Sequence, residues 1–342
     1  MRRPADSGRR RALIGVIAAG GIVLATLVPA FGLPQYYVSL LTQTCIYGIA
    51  AMSLDLLVGF TGLVSFSHAA FFGTSAYITA LLLTRYGVTS FWAALVLALF
   101  GAAALAALFG LLAFRGEGVS FIIITLALNE IIWGLAYQWV DMSGGDNGIT
   151  GFQRPVIAGM HLTGTPAYYL FCLAALVVCA GLLVTIVRSP FGLVLRGIRE
   201  RPRRMAALGY PVNRFRYAAY VIAAVFAGVA GVLFAYYNEF VGPVNLSLDT
   251  TVQILIMVIL GGTGTLLGPL AGAGVVVFVS NALSNITQRW ELILGAMYVV
   301  ILLYARDGLV GIARRVWRAA GRRAPAAPTH PALARENPEA EP

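Results

Sequence analysis

The chain has 342 residues, of which 59% are hydrophobic and only 11% are charged, and its formal net charge is +10. Soluble domains carry about 25% charged residues, so this composition excludes an ordinary soluble protein and indicates a helical membrane protein. The positive charge does not indicate a nucleic-acid partner. Arginines cluster beside apolar runs at 2–11, 188–216 and 306–323, which is the pattern of cytoplasmic loops in membrane proteins.

The side-chain chemistry excludes several activities. All 24 basic residues are arginine, so a Walker A loop, which requires lysine, cannot be present, and any ATP must be bound by another chain. The three cysteines and three histidines are too scattered for a metal site, and no nucleophile is grouped with an acid and a base. We therefore expect no catalytic residue, no metal and no cofactor in this chain, and no enzymatic activity.

Ten apolar runs follow one another along the chain as candidate membrane spans. They lie at residues 12–31, 37–59, 66–84, 91–114, 119–140, 167–187, 217–240, 249–266, 269–285 and 291–305. The run 269–285 is rich in glycine and alanine and could instead be a re-entrant helix, so the number of spans is between eight and ten. An even number places both termini beside the arginine-rich loops, in the cytoplasm. The predicted fold class is an all-α polytopic membrane protein.

Polar groups inside spans usually face the interior of a helix bundle, so they nominate a translocation pathway. Asn129 and Glu130 lie near the middle of the run 119–140. The carboxylate could contact a substrate ammonium group or could pair with a neighbouring polar group.

Three further pathway candidates, Ser65, Ser67 and His68, stand where the run 66–84 begins. They could cap that helix, and a role in gating is the alternative. Asp55 lies nearer the cytoplasmic end of its run and is predicted to be structural, bonded within the protein or paired with an arginine.

Two glycine-rich segments, 59–62 (GFTG) and 261–264 (GGTG), each stand where a run approaches the cytoplasmic side. The similarity of these two segments could mark a duplicated half of the chain or could be chance in a glycine-rich chain. Residues 141–166 form the longest external segment, and their Gly-Gly and Asp-Asn-Gly sequences predict tight turns.

The arginine-rich segment 188–216 predicts two short helices. The first follows Ser189 and Pro190 and carries an apolar stripe at i, i+3, i+4 and i+7, so it should lie along the membrane surface. The second, opened by Pro202 and closed by Gly209, is too short to be stable alone in water. We interpret it as a docking element for a soluble cytoplasmic protein, although a solvated basic loop is the simpler reading of the arginines.

Several stretches in matching order resemble the permease subunits of branched-chain amino-acid ABC importers, the LivM-type family. They are GFTGLVSFSHAAFFGTSAYITALLL (59–83), SGGDNGITG (143–151), LRGIRERPRRMAALGYPVNRFRYAAYVIAAVFAGVAGVLFAYY (195–237), MVILGGTGTLLGPLAGAG (257–274) and ILGAMYVVILLYARDGLVG (293–311). The resemblance runs from about residue 36 to 312.

The resemblance implies an ABC importer permease fold in the bacterial inner membrane, forming half of a pathway that works by alternating access. It also implies four partners: a second related permease, two cytoplasmic ATPases that bind ATP and Mg, and a periplasmic substrate-binding protein. The chain would then comprise a basic cytoplasmic N-terminus (1–11), a permease domain in the lipid bilayer (12–312) with its coupling loop at 188–216, and a cytoplasmic, disordered tail (313–342).

In such importers a cytoplasmic coupling helix with an Ala-Ala…Gly core sits in a cleft of the ATPase. This sequence matches that core, with Met205 where the general importer signature has a glutamate and with a shorter gap before the glycine. The resemblance assigns ATPase coupling to Arg199, Glu200, Arg203, Met205, Ala206, Ala207, Leu208 and Gly209. The alternative is a self-sufficient secondary transporter or channel for small polar solutes, in which Glu130 would be a proton or ion site.

Overall fold

The computed structural model describes residues 34–154, 156–157, 160–161, 164–284, 292–293 and 295–296. The predicted span 12–31, most of the span 291–305, and the predicted terminal segments 1–11 and 313–342 lie outside these residues.

The described chain is mostly helical, which confirms the predicted all-α fold class. Its helices are α1 (Gln35–Val58), α2 (His68–Thr84), α3 (Phe91–Ala113), α4 (Val119–Gln138), α5 (Val140–Ser143), α6 (Thr165–Arg188), α7 (Pro190–Glu200), α8 (Pro202–Ala207), α9 (Val212–Asn238), α10 (Leu248–Gly261) and α11 (Gly268–Ser284). Two 3₁₀ turns (Gly145–Asn147 and Pro243–Leu246) and four two-residue strands, β1 (Ile149–Thr150), β2 (Val156–Ile157), β3 (Met160–His161) and β4 (Phe240–Val241), complete it.

Five of the helices, α1, α3, α4, α6 and α9, are long and apolar enough to cross a membrane. The other apolar helices, α2, α10 and α11, are shorter, with 17, 14 and 17 residues. Such short helices leave non-helical backbone at membrane depth, which is tolerated where protein surrounds it.

The helices α1 and α9 form the centre of the bundle. In each, 72% of the most apolar window is buried, whereas the corresponding fraction is only 17–33% in α3, α4 and α6. Close packing at the centre depends on glycine: a Cβ atom at Gly231 of α9 would collide with the backbone carbonyl of Phe72 in α2. The outer helices therefore present apolar surface to whatever surrounds the chain.

The predicted run 249–266 is wrong at its end, because α10 stops at Gly261 and the chain turns there. Gly262 has φ of +106°, a conformation that side-chain-bearing residues rarely adopt. The next helix runs back along α10: Gly268 packs against Gly261, and Gly272 packs against the Met257 carbonyl. Residues 248–284 therefore form an antiparallel helical hairpin.

We call the end of the bundle that carries residues 188–216 the basic end. At the opposite end, β1 pairs antiparallel with β4, which joins the segment after α5 to the end of α9. An ion pair between Arg154 and Glu239, with 3.3 Å between Nε and Oε1, adds a second link. The predicted tight turns are confirmed by positive φ angles, for example +62° at Gly148.

Candidate functional site

The helix α7 at the basic end has the amphipathic character predicted for it. Leu195 and Ile198 are fully buried, whereas Arg196, Arg199 and Glu200 are on the outer side. Ser189 occupies the predicted cap position, but its hydroxyl donates to the carbonyl of Ile186 and does not cap α7. The buried stripe fixes α7 against the bundle.

The helix α8 begins at Pro202 and ends before Gly209, as the sequence predicts. Gly209 has φ of +87°, and the Tyr210 N–H donates to the Met205 carbonyl at 3.1 Å, a helix-ending motif that glycine favours. No residue of α8 is buried, and Leu208, directly after it, is 65% exposed. The Met205 side chain packs over Gly197 and so links α8 to α7.

Below α7, a set of contacts that we call the basic-end clasp joins α1 to the α10–α11 loop. Both carboxylate oxygens of Asp55 accept backbone hydrogen bonds, from the N–H of Gly264 at 2.7 Å and of Leu266 at 3.1 Å. Gly59 has no room for a Cβ atom, because the Asp55 carboxylate and the Gly264 backbone occupy that space. The structural role predicted for Asp55 is confirmed.

Two arginines of α7 complete the clasp. The guanidinium of Arg199 donates a hydrogen bond to the carbonyl of Gly59, and that of Arg196 lies 5.2 Å from the ring centroid of Phe60, a cation–π contact. The two similar glycine-rich segments, 59–62 and 261–264, are therefore neighbours in space. They are held together by one carboxylate and covered by one amphipathic helix.

The second candidate region is a buried polar cluster where α2 begins. The first N–H groups of a helix have no partner within it and need acceptors from elsewhere. Here the Ala69 N–H donates to Thr251 of α10 at 3.0 Å, and the Ala70 N–H donates to the Asn129 side chain of α4 at 2.9 Å. Ser67 occupies the cap position of this helix, but its hydroxyl makes no capping bond, so the capping alternative is wrong for Ser67.

The serines and the histidine instead bond to other helices. The Ser67 hydroxyl lies 2.5 Å from the Tyr220 hydroxyl of α9 and 3.0 Å from that of Ser65. Nε2 of His68 lies 2.8 Å from the hydroxyl of Ser53, which itself donates to the carbonyl of Ala50. Since the single proton of Ser53 is used there, Nε2 of His68 must carry the donated proton. This leaves Nδ1 of His68 buried with no partner among the described residues.

All these side chains are removed from solvent and lie inside the membrane region. Ser53, Ser65, Ser67, His68, Thr125, Asn129, Tyr220 and Thr251 are each 0% exposed. Ser53 is five residues before the end of α1, and Asn129 is ten residues after the start of α4. At 1.5 Å per helical residue, the cluster extends from about 8 to about 15 Å below the basic end.

The neighbours Asn129 and Glu130 have different environments. The Asn129 amide is fully engaged, because its oxygen accepts from Ala70 and its nitrogen donates to the Leu246 carbonyl at 2.9 Å. Glu130 is half-buried, and its Oε1 atom is buried without a hydrogen-bond partner among the described residues. The buried carboxylate oxygen is therefore the group with unused bonding capacity.

The sequence candidates thus separate into two regions: the coupling residues at the basic end, and the polar residues around the start of α2. Sequence reasoning missed Ser53, Thr125, Tyr220 and Thr251, whose distance from α2 along the chain conceals the contact. It also missed the bond between Arg199 and Gly59. Among the described residues no group of three His, Cys, Asp or Glu side chains could hold a metal ion.

Comparisons with known proteins agree with one another. A family model described as "Branched-chain amino acid transport system / permease component" matches residues 36–303. The high-affinity branched-chain amino acid transport system permease protein LivM of Escherichia coli (strain K12) is 29% identical over 316 residues, covering 86% of this chain and 74% of that protein. The probable branched-chain amino acid transport permease protein LivH of Methanocaldococcus jannaschii is 24% identical over 247 residues, covering 69% of this chain and 76% of that protein.

A solved structure of an ABC transporter in an inward-facing conformation also matches, with a TM-score of 0.46 and 17% identity over 86% of this chain and 99% of that chain. This likeness is too distant for an inference about function.

Proposed function

Because this chain belongs to the family of branched-chain amino acid transport permease components, we propose that it forms half of the pathway of an ATP-driven importer. The other half is a second, related permease, and the proposed importer includes two cytoplasmic ATPases and a substrate-binding protein. The chain contains no lysine for a Walker A loop, so ATP and Mg belong to the ATPase subunits. The substrates are branched-chain or related amino acids.

The proposed coupling to an ATPase is inferred from α8, a helix that ends in a glycine motif and has no buried residue. In water a six-residue helix is unstable by itself, and a chain rarely leaves Ala206, Ala207 and Leu208 exposed on such an element without a partner. The arginines around it indicate that the basic end faces the cytoplasm. We therefore place the ATPase against α8, with the small alanines allowing close approach.

The contacts around α8 suggest how a movement of the ATPase reaches the membrane helices. A displacement of α8 is passed to α7 through Met205 over Gly197, and from α7 to the basic-end clasp through Arg199 and Gly59. Through Asp55, the clasp joins α1 to the α10–α11 hairpin. In this proposal the clasp lets α7, α1 and the hairpin move together during alternating access.

The pathway candidates take different roles in this proposal. Asn129 is fully bonded and maintains the start of α2, as do Ser65 and Ser67. Glu130 and the Nδ1 atom of His68 have bonding capacity left. We assign the contact with a substrate ammonium group to Glu130, because a carboxylate with an unpaired oxygen attracts a cation.

The coupling proposal is tested with Ala207→Arg, which places a long charged side chain on the docking surface of α8. We expect membrane insertion and thermal stability to remain normal, because Ala207 is exposed, and capture of the ATPase subunit to be lost. Thr150→Arg, an exposed change at the opposite end of the bundle, is the matched control and should capture the ATPase normally. Normal capture by Ala207→Arg would refute the assignment.

Transport by the chain alone separates this function from a secondary transporter or channel. Vesicles containing only this chain should not accumulate leucine under a proton gradient, and accumulation there would contradict the proposal. In the complete importer, Glu130→Gln should reduce uptake without lowering thermal stability, because the carboxylate oxygen has no bond to lose within the described chain.

A further inference from the structure

A charged cleft opens at the basic end beside α8, and Ala206 lines both this cleft and the exposed alanine surface of α8. It has a volume of about 690 Å³ and lies between α8, the start of α9 and the turn at residues 114–118 that joins α3 to α4. Its charged and small lining residues are Glu117, Gly118, Arg203, Ala206, Arg214 and Arg216. The cleft is large enough for a phospholipid headgroup and is open to its surroundings.

The charges in the cleft are not balanced within the protein. Three arginines line it against one carboxylate, Glu117, and none of the three has an ion pair or a side-chain hydrogen bond within the described chain. The Nε atom of Arg216 is buried without any partner there. Buried donors are normally bonded, so an unpaired guanidinium nitrogen points to an acceptor that the chain does not supply.

The backbone adds to the positive character. The helix α9 starts at Val212, which lines the cleft, and no side chain caps its first N–H groups. Since a helix N-terminus carries a partial positive charge and open donors, it favours an anion with several acceptor oxygens. A phosphate group satisfies both the planar guanidinium groups and the open N–H groups.

The position of the cleft favours the phosphate group of a lipid over free phosphate. Arg216 is directly followed by the apolar part of α9, and Gly118 by α4, so the cleft lies at the level of the membrane surface. From its rim, Val119 and Ile123 extend along α4 with 70% and 61% of their surface exposed. An acyl chain could lie along this strip while its headgroup occupies the cleft.

We propose that this cleft binds the headgroup of an anionic phospholipid from the cytoplasmic leaflet. Basic pockets between membrane helices on that side are suited to such headgroups. The guanidinium groups of Arg214 and Arg216 contact the phosphate oxygens, and Glu117 opposes them and weakens binding. The inference goes beyond the proposed function and does not depend on the ATPase, because it concerns the permease alone.

The test measures binding of the purified full-length chain in neutral nanodiscs to tail-labelled phosphatidylglycerol, with phosphatidylcholine as the reference lipid. Wild type should prefer phosphatidylglycerol, and the preference should weaken with salt, which screens exposed charges. The double variant Arg214→Gln/Arg216→Gln should lose roughly thirtyfold in affinity, since each arginine contributes near an anionic lipid. The matched control Arg188→Gln/Arg201→Gln removes the same charge from residues that do not line the cleft and should lose less affinity than the double variant.

A second variant tests the proposal even if the double variant folds poorly. Glu117→Gln removes the opposing carboxylate and should raise the affinity for phosphatidylglycerol severalfold. Equal binding of both lipids, an equal loss in the control, or no gain in Glu117→Gln would each overturn the proposal. So would complete competition by millimolar inorganic phosphate, which would identify a free anion site. Loss of ATPase capture with normal lipid binding in the double variant would identify a protein interface instead.

Discussion

Asn129→Leu tests whether the buried polar cluster holds the start of α2 in place. Leucine matches asparagine in the number and branching of its side-chain heavy atoms but is larger, so the change removes the hydrogen bonds and adds some crowding. It leaves the Ala70 N–H and the Leu246 carbonyl, which Asn129 bonds at 2.9 Å each, without their partner in a site that is 0% exposed.

The magnitude follows from counting these two groups. An unsatisfied buried donor or acceptor costs about 1–3 kcal/mol, so two of them cost about 2–6 kcal/mol. Hydrogen bonds between membrane helices average only about 0.6 kcal/mol, which sets a lower bound of about 1 kcal/mol for the pair. We expect the variant to melt at least about 1.5 °C below wild type.

The assay can use the cysteines of the protein. Cys45, Cys172 and Cys179 are free and buried, so a thiol-reactive dye reports unfolding of detergent-solubilised protein on heating. Glu130→Gln is the matched control at the next position and should melt no lower than wild type, because its buried oxygen has no bond within the described chain to lose. A melting temperature for Asn129→Leu equal to that of wild type would refute the proposed role of the amide.

Three further changes probe other contacts by the same melting assay. Asp55→Asn should lower the free energy of unfolding by about 1–3 kcal/mol, since one of its two acceptor oxygens becomes a donor facing a backbone N–H. Gly231→Ala should destabilise the bundle because its Cβ meets backbone, whereas Gly134→Ala, with open space around it, should be neutral or gain up to about 1 kcal/mol. Tyr220→Phe removes the hydroxyl bonded to Ser67 and should cost about 1 kcal/mol; a neutral result would argue against that bond.

The helices of the basic end could be predicted because their signals are local. Pro190 and an apolar stripe define α7, and Pro202 and Gly209 define α8, all within about twenty residues. The end of α10 could not be predicted in the same way. Residues 262–266 (GTGTL) contain two glycines with positive φ, but where the chain leaves the helix also depends on the tertiary contact of this loop with Asp55.

The buried cluster could be predicted only in part. Intramembrane polar residues indicate the bundle interior, and Asn129, Ser65, Ser67 and His68 are all found there. Their individual bonds depend on which helices are neighbours, and a single sequence does not contain that information. The sequence therefore suggests Ser67 as a helix cap. In the structure the Ala69 and Ala70 N–H groups instead donate to Thr251 of α10 and Asn129 of α4.

The origin of these acceptors has a consequence for biogenesis. Thr251 follows Ala69 by 182 residues, so it leaves the ribosome long after α2 has entered the bilayer. Until then the Ala69 amide of α2 has no acceptor from its final partner, in a medium that offers few others. The early half of the protein therefore completes its structure only when the late half arrives, and a nascent chain truncated before α10 should remain a substrate for membrane quality-control proteases.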